Sequence, residues 1–412
     1  MEKRSKQLLM ALAGMIYLLV TGCSSPDIPV QPEKGGFCFY LNMPAPMTVE
    51  TKTGANIGNA DDQIAVNDVW IIQYLESDKT KPFRCLYISG SDNITSEGNY
   101  LVKIKTPDNN ENKFSDVQSD FFIIVNGGGN LLSTDYSSSE SDLLAMKTYM
   151  ENSGYLSVTT PLLTAGPIVY TPKTGDGTAT TDETPATDEP AINDPTTNEP
   201  ATEKVVFVSR MYRAYAKVAV KVNFQPDKDY FPNASFTVTK CTATNLPLWK
   251  GASDGTDGTG DKANVIALYE SSEGYPSASD VTGSETWSPS SAQNQYSFSF
   301  YMPENLRGTG SSKTFEGKNQ ESNGPNGTLT GCTCITIEGE YRYDTNQSPI
   351  TVKYTFYPGV DLTSDYNIKR DHCYNLTLNL KGANSADLRV SITNGNVAVF
   401  DKVVTIDNTV EF

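Results

Sequence analysis

The chain has 412 residues and a formal net charge of -17, with 49 Asp and Glu against 32 Lys and Arg. An acidic chain with no basic stripe repels phosphate backbones, which excludes nucleic acid as a partner class. Twenty-two Tyr and 16 Phe against 3 Trp, with 31 Gly, suit short strands and polar turns better than helices.

Lys3, Arg4 and Lys6 precede an apolar run from Leu8 to Val20, the layout of a secretory signal peptide. The run is too short for a bilayer, which takes about 20 residues. It ends in Leu19-Val20-Thr21-Gly22-Cys23, which resembles a bacterial lipobox. Residues 1–22 then read as a lipoprotein signal peptide, with Cys23 as the site of lipid attachment. Several acyl chains, at roughly 0.8 kcal/mol per buried methylene, hold a chain on a membrane far better than one. The mature protein is expected to be anchored, not spanning.

Residues 23–34 form a Pro-containing tether. Phe37, Phe39, Leu41 and Met43 then alternate with Cys38, Tyr40 and Asn42, which predicts a first strand with one strongly apolar face. Pro44 and Pro46 end it, and the run from Glu50 to Asp62 around Lys52 is polar and Gly-containing, an exposed loop. Strands are expected around Val69–Tyr74, Leu86–Ile88, Tyr100–Val102 and Phe121–Val125, the last apolar on both faces and stopped by Gly127-Gly128-Gly129. A helix is expected over Ser139–Gly154, from Leu143, Leu144, Met146, Met150 and the capping residue Ser141. Ile168–Tyr170 completes a first domain over 35–170.

Residues 171–204 hold eight acids, two lysines and no aromatic residue, and repeat the block Thr181-Asp182-Glu183-Thr184-Pro185-Ala186 imperfectly. Too little apolar surface is present to offset ordering entropy, so the segment reads as a disordered acidic spacer. The second domain, 205–412, opens on Val205–Val208 and a long strand over Ala214–Val222. Further strands are expected at Phe236–Thr239, Tyr296–Tyr301, Ile335–Tyr343, Ile350–Tyr357, Tyr374–Leu380 and Leu388–Ile392. A terminal run carries Val404, Ile406, Val410 and Phe412 on one face. Closely spaced strands with turn residues between them predict an all-β chain of two mostly antiparallel sandwiches, one on each side of the spacer.

No convergent chemistry emerges, and no cofactor is implied. His372, the single histidine, removes most triads and His-rich metal sites. It adjoins Cys373, but neighbours on a strand point to opposite faces. The run Asp254–Asp261 resembles a calcium loop without the closing bidentate Glu, and reads as a solvated turn. Cys332 and Cys334 read as small apolar fillers on one face of a strand. Spacing leaves open which of Cys38, Cys85, Cys241, Cys332, Cys334 and Cys373 pair, if any.

Five runs resemble those of the Bacteroidales fimbrillins, the type V pilins. They are Phe122-Ile123-Ile124-Val125-Asn126-Gly127, Pro161-Leu162-Leu163-Thr164-Ala165-Gly166, Arg213-Ala214-Tyr215-Ala216-Lys217-Val218, Tyr301-Met302-Pro303-Glu304-Asn305-Leu306-Arg307-Gly308, and Tyr354-Thr355-Phe356-Tyr357-Pro358-Gly359 continuing through Asn367-Ile368-Lys369-Arg370-Asp371-His372-Cys373-Tyr374-Asn375-Leu376-Thr377. The resemblance implies two transthyretin-like, Greek-key sandwiches with one short helix in the first. It implies a structural subunit of a surface fimbria, not an enzyme, exported as a lipoprotein to the outer membrane.

In that family a trypsin-like surface protease removes the first strand, and a strand of another fimbrial subunit fills the groove. Here Phe37, Phe39, Leu41 and Met43 would leave, and the run with Val404, Ile406, Val410 and Phe412 would be the donor. The processing point carries Arg in the family's stalk pilins but Lys52 here, and no Arg lies between Cys23 and Arg84. The subunit is therefore a stalk component cut by a Lys-accepting protease, an uncut basal anchor, or a tip component. The alternative is a lipid-anchored adhesin or carbohydrate-binding module that does not polymerise.

Overall fold

Period-two alternation of apolar and polar residues becomes strand pairing almost throughout. In a computed structural model of the chain, the residues described are 37–44, 64–98, 100–106, 113–133, 135–148, 161–172, 180–181, 205–226, 229, 231–247, 266–278, 281–288, 290–292, 295–382, 385–394 and 409–411. The first half supplies β1 (Phe37–Asn42), β2 (Asp68–Leu75), β3 (Arg84–Ser89), β4 (Ile94–Gly98), β5 (Leu101–Ile104), β6 (Ser119–Val125), β7 (Lys147–Thr148), β8 (Leu163–Thr171) and β9 (Thr180–Thr181), with, among the described residues, one helix, α1 (Glu140–Leu144). The second half supplies β10 (Val205–Arg210), β11 (Tyr212–Arg213), β12 (Tyr215–Phe224), β13 (Ser235–Leu246), β14 (Ile266–Ala267), β15 (Gly283–Trp287), β16 (Ser290–Ala292), β17 (Gln295–Pro303), β18 (Cys334–Arg342), β19 (Ile350–Phe356), β20 (His372–Gly382), β21 (Ser385–Asn394) and β22 (Thr409–Glu411), with α2 (Phe315–Lys318) before β18. The chain is all-β, as expected.

Four sheets make two sandwiches. The first pairs the order β10-β1-β5-β4 with β11-β8-β6-β2-β3, and the second pairs β16-β17-β12-β20-β21-β22 with β15-β13-β18-β19. Most pairs are antiparallel, but β1 lies parallel to β10 and β12 parallel to β20.

The two-sided apolar character of Phe121–Val125 now has its cause. Val69, Ile71, Phe121, Ile123 and Val125 face the core of the first sandwich. Trp70, Ile72, Tyr74, Phe122 and Ile124, on the opposite face of the same two strands, belong to the apolar cluster that continues into the second sandwich. The junction runs through Tyr269, whose ring meets Phe122 edge-on at 5.3 Å between centroids. Leu268 O there accepts from Thr164 Oγ1 at 2.6 Å and from Arg370 Nη1 at 2.9 Å.

Two expectations need correction. Of the helix expected over Ser139–Gly154, the described residues, up to Thr148, form a single turn, α1; residues 149–154 lie outside the described residues. Ser139 caps it: its Oγ accepts from the Asp142 N–H, and its own N–H donates to the Asp142 carboxylate in return. After Ala145 the chain turns extended, because Lys147–Thr148 finds a strand partner in Ile266–Ala267. The second helix, α2, lies in the second half. The other correction concerns 205–213, placed by the sequence at the start of the second domain. β10 instead completes the first sheet beside β1, and β11 pairs with β8, because Phe207 and Met211 are buried in the first core. Of the spacer 171–204, Thr180–Thr181 pairs with β8; residues 173–179 and 182–204 lie outside the described residues, as does the run Asp254–Asp261.

Candidate functional site: the strand β1 and its groove

β1 is an interior strand. Its register with β10 runs from Phe37↔Val205 to Asn42↔Arg210, and with β5 from Phe39↔Ile104 to Asn42↔Leu101. Phe37, Phe39, Leu41 and Met43 all point into the first core, exposed by 8, 0, 0 and 5%. Phe39 stacks on Phe207 at 4.9 Å, and Phe37 meets Phe114, Phe121, Tyr170 and Phe207 within 5.8 Å. The other face is covered too. Cys38 and Tyr40 pack with Leu101 and Val208, and the Lys103 ammonium lies 5.9 Å from the Tyr40 ring centre.

Magnitudes decide what loss of β1 would mean. At about 1.5–3 kcal/mol per buried large apolar side chain, four of them supply on the order of 6–12 kcal/mol as an upper bound. That is comparable with the whole stability of a domain, about 5–15 kcal/mol. Removal would also strip ladder partners from β10 and β5 at once. A sandwich without β1 therefore needs another strand in its place.

Both ends of the groove carry side-chain bonds to the strand's carbonyls. At the outer end Thr106 Oγ1 donates to Phe37 O at 3.2 Å. At the inner end Met211 N–H donates to Asn42 O at 3.0 Å, Met43 N–H to Tyr100 O at 2.7 Å, and Arg213 Nη2 to Pro44 O at 3.4 Å. Arg213 is 2% exposed. Its Nη1 and backbone N–H donate to Asp371 Oδ1 at 3.2 and 3.3 Å, while the buried Asp371 Oδ2 accepts no hydrogen bond. Burial pushes the Asp371 carboxyl up to about 6, against the pull of Arg213. The next residue back, Arg370, makes a bidentate pair with Glu304.

The expected donor strand is placed only in part. β22, which contains Val410, lies at the edge of the second sandwich, with Ala386↔Val410 in its pairing with β21. Val404, Ile406 and Phe412 lie outside the described residues, as do the lipid site Cys23 and the processing candidate Lys52.

The groups passed over in the sequence have these surroundings. His372 is held with Nδ1 2.6 Å from Arg370 O, and burial lowers its pKa, while the Cys373 thiol donates to Asn375 Oδ1. Cys332 and Cys334 are both buried, and burial pushes the Cys332 thiol up to about 12, which suits an apolar filler. Among the described residues no group of His, Cys, Asp and Glu could hold a metal ion.

Sequence reasoning missed Arg213 and Asp371 as partners. Each stands in one of the quoted runs, but nothing in their spacing brings residues 213 and 371 together.

Residues 300–378 match a family described as a domain of unknown function, DUF4906. No curated protein sequence matches the chain. Similar solved structures include a candidate cell adhesion protein from Parabacteroides distasonis, at 12% identity and TM-score 0.49, covering 90% of this chain and 99% of that one. They include the tip fimbrial protein Mfa3 from Porphyromonas gingivalis, with C-terminal truncation, at 13% identity, TM-score 0.42 and coverage of 87 and 99%. A fimbrilin (fimA) from P. gingivalis is also among them, at 12% identity, TM-score 0.39 and coverage of 86 and 92%.

Proposed function

We propose that the chain is a structural subunit of a bacterial surface fimbria, delivered as a lipoprotein on Cys23 and assembled by strand exchange. The observation that carries this reading is β1 itself. It is an interior strand with four core side chains, joined covalently to the rest only through the loop that holds Lys52. A cut there leaves β1 held by non-covalent contacts alone, and its departure opens a groove lined by Phe114, Phe121, Tyr170 and Phe207. The occupant is the terminal run of another subunit, with Val404, Ile406, Val410 and Phe412 replacing the alternate apolar side chains. β22, at a sheet edge, is placed to be given up with less loss than an interior strand. No catalytic role is assigned to the chain.

The test is assembly. Chain cut after Lys52 is expected to form ladders of oligomers on denaturant-free gels and by sedimentation, and deletion from Lys402 onward is expected to abolish them. Monomers in both cases would sink the proposal. Uncut chain retained on membranes through Cys23 would identify a basal anchor instead of a stalk subunit.

A second reading, a lipid-anchored adhesin that never polymerises, has one observation in its favour. Phe231 and Tyr343, 37 and 38% exposed, sit 5.7 Å apart beside the β18–β19 turn, with Ile350 at 42% on the strand opposite. Glycan-array binding that Tyr343→Ala abolishes, by a chain that stays monomeric, would favour it.

A further inference from the structure

Strand insertion needs a register as well as an apolar face, and the inner end of the groove supplies one. An insert that slips by one residue turns its apolar side chains away from the core. The permitted registers therefore differ by two residues, roughly 6.6 Å along the strand. Apolar side chains alone discriminate poorly between these, because one large apolar residue can stand in for another. A buried charged donor discriminates well, because its acceptor is either within reach or absent.

We propose that Arg213 is the register-determining residue of the β1 groove: it admits a strand fully only when that strand places a carbonyl or carboxylate oxygen where Pro44 O now lies. The proposal deepens the strand-exchange reading and rests on it for the identity of the incoming strand.

Its geometry is fixed from three sides. β11 holds the Arg213 backbone against β8, at Arg213↔Leu163. Asp371 Oδ1 takes both Nη1 and the backbone N–H. Asp371 is in turn fixed by its own N–H, which donates to Tyr215 O at 2.8 Å. Among the described residues the outer end of the groove has no equivalent. Thr106 offers a hydroxyl, which can rotate to another acceptor when a strand carbonyl is missing, whereas the Arg213 guanidinium is held by Asp371 and stays aimed at the Pro44 position. The insert this site fits is an extended segment with four apolar residues at alternate positions and an oxygen acceptor one residue beyond the last of them.

The test uses the full chain with a protease site in the loop carrying Lys52, nicked so that β1 stays in place until exchanged. Two fluorescent peptides compete for the groove. One is residues 37–44; the other is residues 37–43 ending in an N-methylamide, which keeps the four apolar side chains but lacks the Pro44 oxygen. From wild type the shorter peptide is expected to leave about ten times faster, the ratio typical of a lost bond to a charged donor. Arg213→Gln is expected to bring the two rates together, and Arg213→Lys to restore part of the difference.

Equal rates from wild type, or a ratio that survives Arg213→Gln, would overturn the proposal. Should Arg213→Gln fail to fold, the two peptides on wild type decide alone. Ladders without discrimination overturn only the register role, and discrimination without ladders overturns only the polymer. Uptake of neither peptide overturns both.

Discussion

Arg213 and Asp371 show what a buried pair costs and what it specifies. Asp371 carries a raised pKa, about 6 in the folded chain against 3.8 for an unperturbed carboxyl, through burial that Arg213 only partly offsets. The folded chain therefore holds more protons than the unfolded one between these values. The stability due to this group is fully present below about pH 4 and is lost as pH rises through about 6. Measured by urea unfolding between pH 4 and 7, wild type is expected to fall relative to Asp371→Asn by about 2–3 kcal/mol, and a flat difference would refute the assignment. Phe39, wholly buried between Phe114, Phe121 and Phe207, makes the contrasting apolar case. Phe39→Ala should cost about 3–5 kcal/mol by the same measurement, with little dependence on pH. Phe39 was legible in the sequence because alternation identifies an inward face. The Arg213–Asp371 pair was not, because its members are brought together by the packing of two sandwiches.

The same division holds between elements. Strands with clean alternation, such as β1, β12 and β17, fall where the sequence puts them, since period two is the period of a strand. The expected wet face of β12 is nevertheless mostly buried, as is that of β1. Elements decided by a distant partner do not. β7 takes the end of the expected helix because Ile266–Ala267 offers it a ladder, and β10 joins the first sandwich because β1 offers it another. The short β4, β9, β11 and β14–β16 carry too few residues for any period to show. Between β19 and β20 a different device holds the chain. Asp361 Oδ1 accepts from the backbone N–H of Thr363, Ser364 and Asp365, at 2.7, 2.6 and 3.1 Å. Burial raises the Asp361 pKa, but these backbone bonds outweigh it and bring the carboxyl down to about 2. A depressed carboxyl contributes stability that is present above about pH 4 and lost as pH falls toward 2. Asp361→Ala is expected to cost about 1–2 kcal/mol at pH 7 in thermal unfolding, a gap that should narrow markedly at pH 2.5.

At the scale of the molecule, the two sandwiches share one apolar cluster through Phe122, Leu268 and Tyr269, so they should unfold together. Wild type is expected to give a single calorimetric transition, and Tyr269→Ala two, with the lower one belonging to the first sandwich; two transitions in wild type would contradict a shared core. The parallel pairing of β1 with β10 has a consequence in time as well as in space. Phe37 pairs with Val205, so β1 finds β5 early but its other neighbour, β10, only after β2 to β9 lie between them. Contacts so far apart along the chain make folding slow. A nascent chain therefore cannot close its first core until β10, with Phe207, has followed.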